Sequence, residues 1–177
     1  MKMNKREFLK SAAALSSLTL LPGCNWETSD QKRLRTAHIG VGNMGGEDLK
    51  AISSHEMVDV VALCDVDSNN LSAAAKLHPK AKLFSDYREL FKEMADGIDA
   101  VIVSTPDHTH APASMMAMDL DKAVYCQKPL THHVTEARAM NKLAADKKLV
   151  TQMGIQVHSF KYIYSFTILI KCCQIIS

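Results

Sequence analysis

The sequence predicts a doubly wound α/β fold, an open parallel sheet with helices on both faces. Three observations carry this reading. From Leu34 to Gln152, short apolar, β-branched runs alternate with helix-length segments, the pattern of a parallel sheet covered on both sides. Four of the seven glycines crowd between positions 40 and 46, directly after the first run. An acidic residue, Asp65, closes the second run.

The elements follow in order. Leu34–Ile39 is the first strand, Asn43–Ser53 a helix and Val58–Leu63 the second strand. Asp67 and Ser68 are alternative N-caps for a helix running to about Leu77. Lys82–Phe84 is a short strand. Ser85 caps a helix whose Tyr87, Leu90, Phe91 and Met94 follow helical spacing, and Gly97 stops it. Ala100–Val103 is a strand and Ala111–Leu120 a helix, with Met115, Met116 and Met118 as core filling. Ala123–Cys126 is a strand, Thr131 caps a helix to about Lys147, and Leu149–Gln152 is the last strand.

Composition bounds the rest. With 177 residues, 47% hydrophobic and 23% charged, the chain is globular rather than disordered or collagen-like. A net charge of +2 gives nucleic acid no electrostatic hold. Residues 1–10 are basic and residues 11–21 apolar and small, ahead of Pro22-Gly23-Cys24. This is the layout of a secretory signal over residues 1–23, and its apolar run is too short to span a membrane. N-K-R-E-F-L-K resembles a twin-arginine export signal and L-P-G-C a lipobox. The expectation is an exported periplasmic or cell-envelope lipoprotein, with Cys24 lipidated and held to the membrane by that anchor. Residues 24–33 are polar and read as a linker. Of the five cysteines none forms a C-x-x-C, so neither zinc nor thioredoxin-like chemistry is expected. Cys64 and Cys126 end buried strands, where a free thiol acts as a small hydrophobe.

Gly40-Val41-Gly42-Asn43-Met44-Gly45 is a G-x-G-x-x-G between a strand and a helix, and Asp65 follows 20 residues after Gly45. The pattern alone is common, but this context is specific for a dinucleotide. Gly40 permits a tight turn, Gly42 lets the backbone approach a pyrophosphate, and Gly45 lets helix and strand pack closely. Asn43 and Met44 open the helix, whose N-terminus favours an anion. Asp65 would accept from both hydroxyls of the adenosine ribose and repel a 2′-phosphate. NAD is therefore expected over NADP.

Two later strand ends extend the pattern. They read Ser104-Thr105-Pro106-Asp107-His108-Thr109-His110-Ala111 and Cys126-Gln127-Lys128-Pro129-Leu130. In a doubly wound sheet such ends face the ligand. With G-V-G-N-M-G and C-D-V-D they resemble the glucose–fructose oxidoreductase / inositol dehydrogenase (Gfo/Idh/MocA) family over about residues 34–158. The resemblance implies a Rossmann nucleotide domain, with Thr105, Pro106 and His110 around the ribose and nicotinamide. It implies Lys128 as the lysine that reaches the substrate hydroxyl, where an ammonium can hold an alkoxide or pass a proton. Gln127 stands where the family usually carries Glu, a variant associated with exported bacterial members, and removes a carboxylate near the cofactor. Asp107, His108 and His110 do not form a specific metal pattern, and no metal is expected.

The resemblance also implies a sugar or cyclitol substrate, a homo-oligomer at full length, and a second domain that carries the substrate site. Residues 159–177, from Phe160 onward aromatic and Ile-rich, break the earlier pattern. They read either as a frameshifted or truncated end or as an extra strand pair. Three functions stay open: the NAD-binding part of a sugar or cyclitol oxidoreductase, an NAD-dependent glycosidase of the same superfamily, and a non-catalytic nucleotide-binding fragment.

Overall fold

A computed structural model describes residues 33–155. The expected leader 1–23, Cys24, the linker as far as residue 32, and the atypical tail 159–177 lie outside the described residues.

Among the described residues, six strands form one parallel sheet. They are β1 (Leu34–Ile39), β2 (Val58–Cys64), β3 (Lys82–Phe84), β4 (Ala100–Val103), β5 (Ala123–Gln127) and β6 (Thr151–Gly154). Their order is β3-β2-β1-β4-β5-β6, and every pairing is parallel. The order reverses between β1 and β4, which opens a crevice beyond their carboxyl ends. The helices are α1 (Met44–Ser53), α2 (Ser68–Leu77), α3 (Tyr87–Met94), α4 (Asp107–Asp119) and α5 (Val134–Lys147). Alternate strand residues feed two cores. Leu63 packs with Val41, Leu49 and Ala74, whereas its neighbours Ala62 and Cys64 pack with Leu90, Phe91 and Met118. This is the period-2 division expected of a strand covered on both faces.

The doubly wound fold is as expected, and the differences lie at element ends. Asp86, not Ser85, caps α3, because its carboxylate accepts from the Arg88 N–H at 2.8 Å. α3 ends at Met94, and a 3₁₀ turn, Ala95–Gly97, completes the stop. α4 begins at Asp107 rather than Ala111, so Pro112 lies inside it. There the missing N–H would have bonded only the carbonyl of His108, one turn back. His133, not Thr131, precedes α5, and its N–H donates to Glu136 at 2.9 Å. Thr131 Oγ1 instead donates to the His133 carbonyl. The last strand is Thr151–Gly154 rather than Leu149–Gln152, because Lys148 turns left-handed at φ 54° and Leu149 N–H closes back onto Ala144.

Burial also settles several titrations. His38 is fully buried in β1 beside Thr36, and desolvation, with His78 adding, pulls its pKa down to about 3. Burial pushes the Cys64 thiol up to about 12 and the Cys126 thiol up to about 11. Both stay protonated, in keeping with their reading as small hydrophobes.

Candidate functional site

The turn after β1 is shaped by what cannot fit. Gly40 has φ +83°, and a Cβ there would lie 2.6 Å from the Ser104 carbonyl oxygen. The ends of β1 and β4 therefore touch backbone to backbone. A Cβ on Gly45 would overlap the Gly40 carbonyl, so α1 can start this close to the strand only with glycine. A Cβ on Gly42 would overlap the Asn70 side chain across the crevice. Asn43 takes φ 45°, a conformation that Asn tolerates better than most residues. Gly42, Asn43 and Met44 all line the crevice, so the N-terminal end of α1 opens onto it.

Asp65 stands at the rim, at the end of β2. Its Oδ2 accepts from the Val41 N–H at 2.8 Å and its Oδ1 from the Asp67 N–H at 2.9 Å. The carboxylate thus ties the glycine turn to the start of α2. Two of its roughly four acceptor positions are used, and the others suffice for two ribose hydroxyls.

The crevice holds about 600 Å³, room for a dinucleotide moiety rather than a single ion. Thr105 and Pro106 form its wall on the β4 side. The Thr105 hydroxyl is buried without a partner among the described residues, which suits a ligand that supplies one. No Lys or Arg lines this crevice among the described residues. An anion there is held by backbone dipoles rather than by side-chain charge. Glycine cradle, ribose acceptor and unpartnered hydroxyl together fit NAD.

Two expected residues sit differently. His110 is 1% exposed and does not line the crevice. Its Nδ1 lies 2.6 Å from the Pro129 carbonyl oxygen and its Nε2 2.7 Å from that of Thr105. A neutral ring offers one N–H and only the doubly protonated ring offers two. His110 thus joins the Thr105 and Pro129 loops behind the crevice wall. Lys128 is exposed and lies outside the crevice wall. Its turn is held from below. Gln127 Oε1 accepts from the Lys128 N–H, His110 meets the Pro129 carbonyl, and Cys126 Sγ donates to the Leu130 carbonyl. The Lys128–Pro129 peptide is cis.

Three residues beyond the motif matter. Asn70 faces Gly42. Asp48 is buried on α1 and accepts from Gln127 and Ser104. The signal for Asp48 was its spacing, since Gly45, Asp48 and Leu49 share the buried face of α1. Ser104 had the signal of its place at a strand end, and Asn70 carries none. Asp107 and His108 stand at the start of α4 with His108 exposed, while the His110 ring turns inward. The three do not converge.

Residues 34–155 match the model of the Gfo/Idh/MocA family, described as an oxidoreductase family with an NAD-binding Rossmann fold. A glycosyl hydrolase family 109 protein from Stenotrophomonas maltophilia is 35% identical over 135 residues, 71% of this chain and 29% of the relative. An inositol 2-dehydrogenase from Rubrobacter xylanophilus is 32% identical over 130 residues, 71% of this chain and 36% of the relative. Among solved structures, myo-inositol 2-dehydrogenase from Lactobacillus plantarum superposes with a TM-score of 0.69 at 28% identity, covering 79% of this chain and 42% of that one. The chain spans about a third of the length of these two curated relatives.

Proposed function

The chain belongs to the Gfo/Idh/MocA oxidoreductase family, with its NAD-binding Rossmann fold, and from that membership we propose that it serves hydride transfer between NAD and a carbinol carbon of a sugar or cyclitol. The observation that carries the reading is the crevice between β1 and β4, with Asp65 at its rim and a glycine cradle at its floor. The pyrophosphate would lie at Gly42, Asn43 and Met44, against the N-terminus of α1. The adenosine ribose would meet Asp65, and Thr105 and Pro106 would flank the nicotinamide end. Bound NAD supplies the hydride acceptor. Acting as a neutral amine, Lys128 would accept the proton of the substrate hydroxyl and become an ammonium as the hydride leaves the carbinol carbon for NAD. Its position on a turn clamped by Gln127, His110 and Cys126 gives the side chain a fixed attachment point.

A second reading has its own support, the glycosyl hydrolase family 109 relative at 35% identity. In an NAD-dependent glycosidase the cofactor returns to its starting state, so the two readings part on net redox change.

The test is calorimetric titration of the 177-residue chain with NAD and with NADP. One saturable site is expected, with NAD bound more tightly. Absence of heat with NAD, or NADP bound as tightly, would sink the assignment.

A further inference from the structure

The crevice has a buried support that the glycine motif does not explain. Asp48 on α1, Ser104 after β4 and Gln127 at the end of β5 meet behind the Lys128 turn. Asp48 and Gln127 are 5% and 4% exposed. Gln127 Nε2 donates to Asp48 Oδ1 at 3.0 Å and to Oδ2 at 2.7 Å, and Ser104 Oγ donates to Oδ2 at 2.7 Å. Gln127 Oε1 accepts from the Lys128 N–H at 3.1 Å. A carboxylate only accepts and a backbone N–H only donates. Together they fix the orientation of the amide, and an amide serves both neighbours without taking up a proton.

We propose that Asp48 and Gln127 are a matched positioning pair that holds the glycine helix, the end of β4 and the Lys128 turn together as one frame. The proposal rests on reading this crevice as the NAD site. With Asp at 48, position 127 requires an amide. Glu at 127 would set two carboxylates about 3 Å apart out of water, where both cannot ionise. The opposite polarity works equally well. With Asn at 48 and Glu at 127, the amide donates from α1, one Glu oxygen receives it, and the Lys128 N–H keeps its acceptor. The Ser104 hydroxyl can serve either arrangement, since it both donates and accepts. The pair therefore carries one negative charge in either version, and the identities at 48 and 127 must change together.

The test compares the parent chain with Gln127→Glu, Asp48→Asn and the double variant, at mildly acidic and mildly alkaline pH. Thermal unfolding reads the frame without ligand, and calorimetry reads NAD affinity. Gln127→Glu is expected to unfold at lower temperature at alkaline pH and to bind NAD about tenfold more weakly, the equivalent of one lost buried hydrogen bond. Both should recover in acid, when a proton bridges the carboxylates. Tyr125 on β5, a titratable neighbour of Asp48, has its phenol pushed up by burial and by that carboxylate, and it stays neutral across this range. Asp48→Asn alone keeps an acceptor for Gln127 and should fall between parent and Gln127→Glu. The double variant should match the parent in both measurements at both pH values. A double variant no better than Gln127→Glu, or a Gln127→Glu chain indifferent to pH, overturns the matched pair. Recovery of unfolding temperature with NAD affinity unchanged throughout overturns the positioning role. A parent chain that does not bind NAD overturns the proposed function instead, and the unfolding series still decides the pairing.

Discussion

The two ends of the crevice are built on different principles. At the glycine end the constraints are steric and backbone-borne. Gly40 and Gly45 stand where a Cβ would strike main-chain atoms, and Asp65 anchors the turn through the Val41 and Asp67 amides. At the lysine end the constraints are pairings between side chains far apart in sequence. Asp48 reaches Gln127 across 79 positions and Ser104 across 56, and His110 reaches the Pro129 carbonyl across 19. A constraint of the first kind leaves its mark on a short motif. One of the second kind leaves half its mark in each of two places, and neither half is distinctive alone.

The largest expected effect would break the glycine end outright. Gly45→Ala places a methyl group over the Gly40 carbonyl, so the backbone itself must shift. Overpacking of this kind costs about 3 kcal/mol, read as a lower urea midpoint, and NAD binding should be lost with it. Gly42→Ala is the sharper control. Its methyl group meets the Asn70 amide, a side chain that can swing away, so stability should fall by less than about 1 kcal/mol. The methyl group would still occupy the approach to the pyrophosphate. A Gly42→Ala chain that binds NAD as tightly as the parent would show that the turn does not cradle the phosphates.

The lysine end should break more gently. His110→Ala removes the ring that meets the Thr105 and Pro129 carbonyls, one of which a neutral ring bonds through its N–H. An unsatisfied buried acceptor costs about 1–3 kcal/mol, and water entering the space offsets part of it. A loss of about 1–2 kcal/mol in urea unfolding is expected on that basis, with the folded variant still binding NAD. Stability within a few tenths of a kcal/mol of the parent would mean that the ring does not hold the two loops together.

This contrast explains what the sequence could disclose. The strands and helices were legible because apolar periodicity is a local property, repeated along each element. Their ends were less so, because neighbouring residues compete for one cap. Ser85 and Asp86 both suit an N-cap, and the charged oxygen of Asp86 takes the Arg88 N–H. Thr131 suits one too, yet Glu136 reaches back to the His133 amide. In the site, Gly40, Gly42, Asn43, Met44, Asp65, Thr105 and Pro106 all reach the crevice, since sterics and strand ends dictate those places. Gly45 acts one layer behind them. The burial of His110 was not legible, because its place in T-P-D-H-T-H points to the crevice, whereas two carbonyls meet the ring on the inner side. Gln127 was legible as a substitution but not as a consequence of Asp48, because only the fold brings the two together.

The smallest expected effect tests whether the glycine end is as purely backbone-built as the comparison holds. Asp65 brings a carboxylate to that end, and it does two jobs: it accepts from Val41 and Asp67, and it faces the ribose position. Asp65→Ala should weaken NAD about tenfold, the scale of a hydrogen bond to a charged group. It should leave NADP unchanged or slightly tighter. The gain for NADP is limited to relief of repulsion, because among the described residues no Lys or Arg lines the crevice to attract a 2′-phosphate. The ratio of the two dissociation constants should therefore move toward one without reversing. Calorimetry with both dinucleotides separates the two jobs. Equal weakening of NAD and NADP would assign Asp65 to the turn alone, and the discrimination between them would then have to come from the shape of the backbone around the ribose.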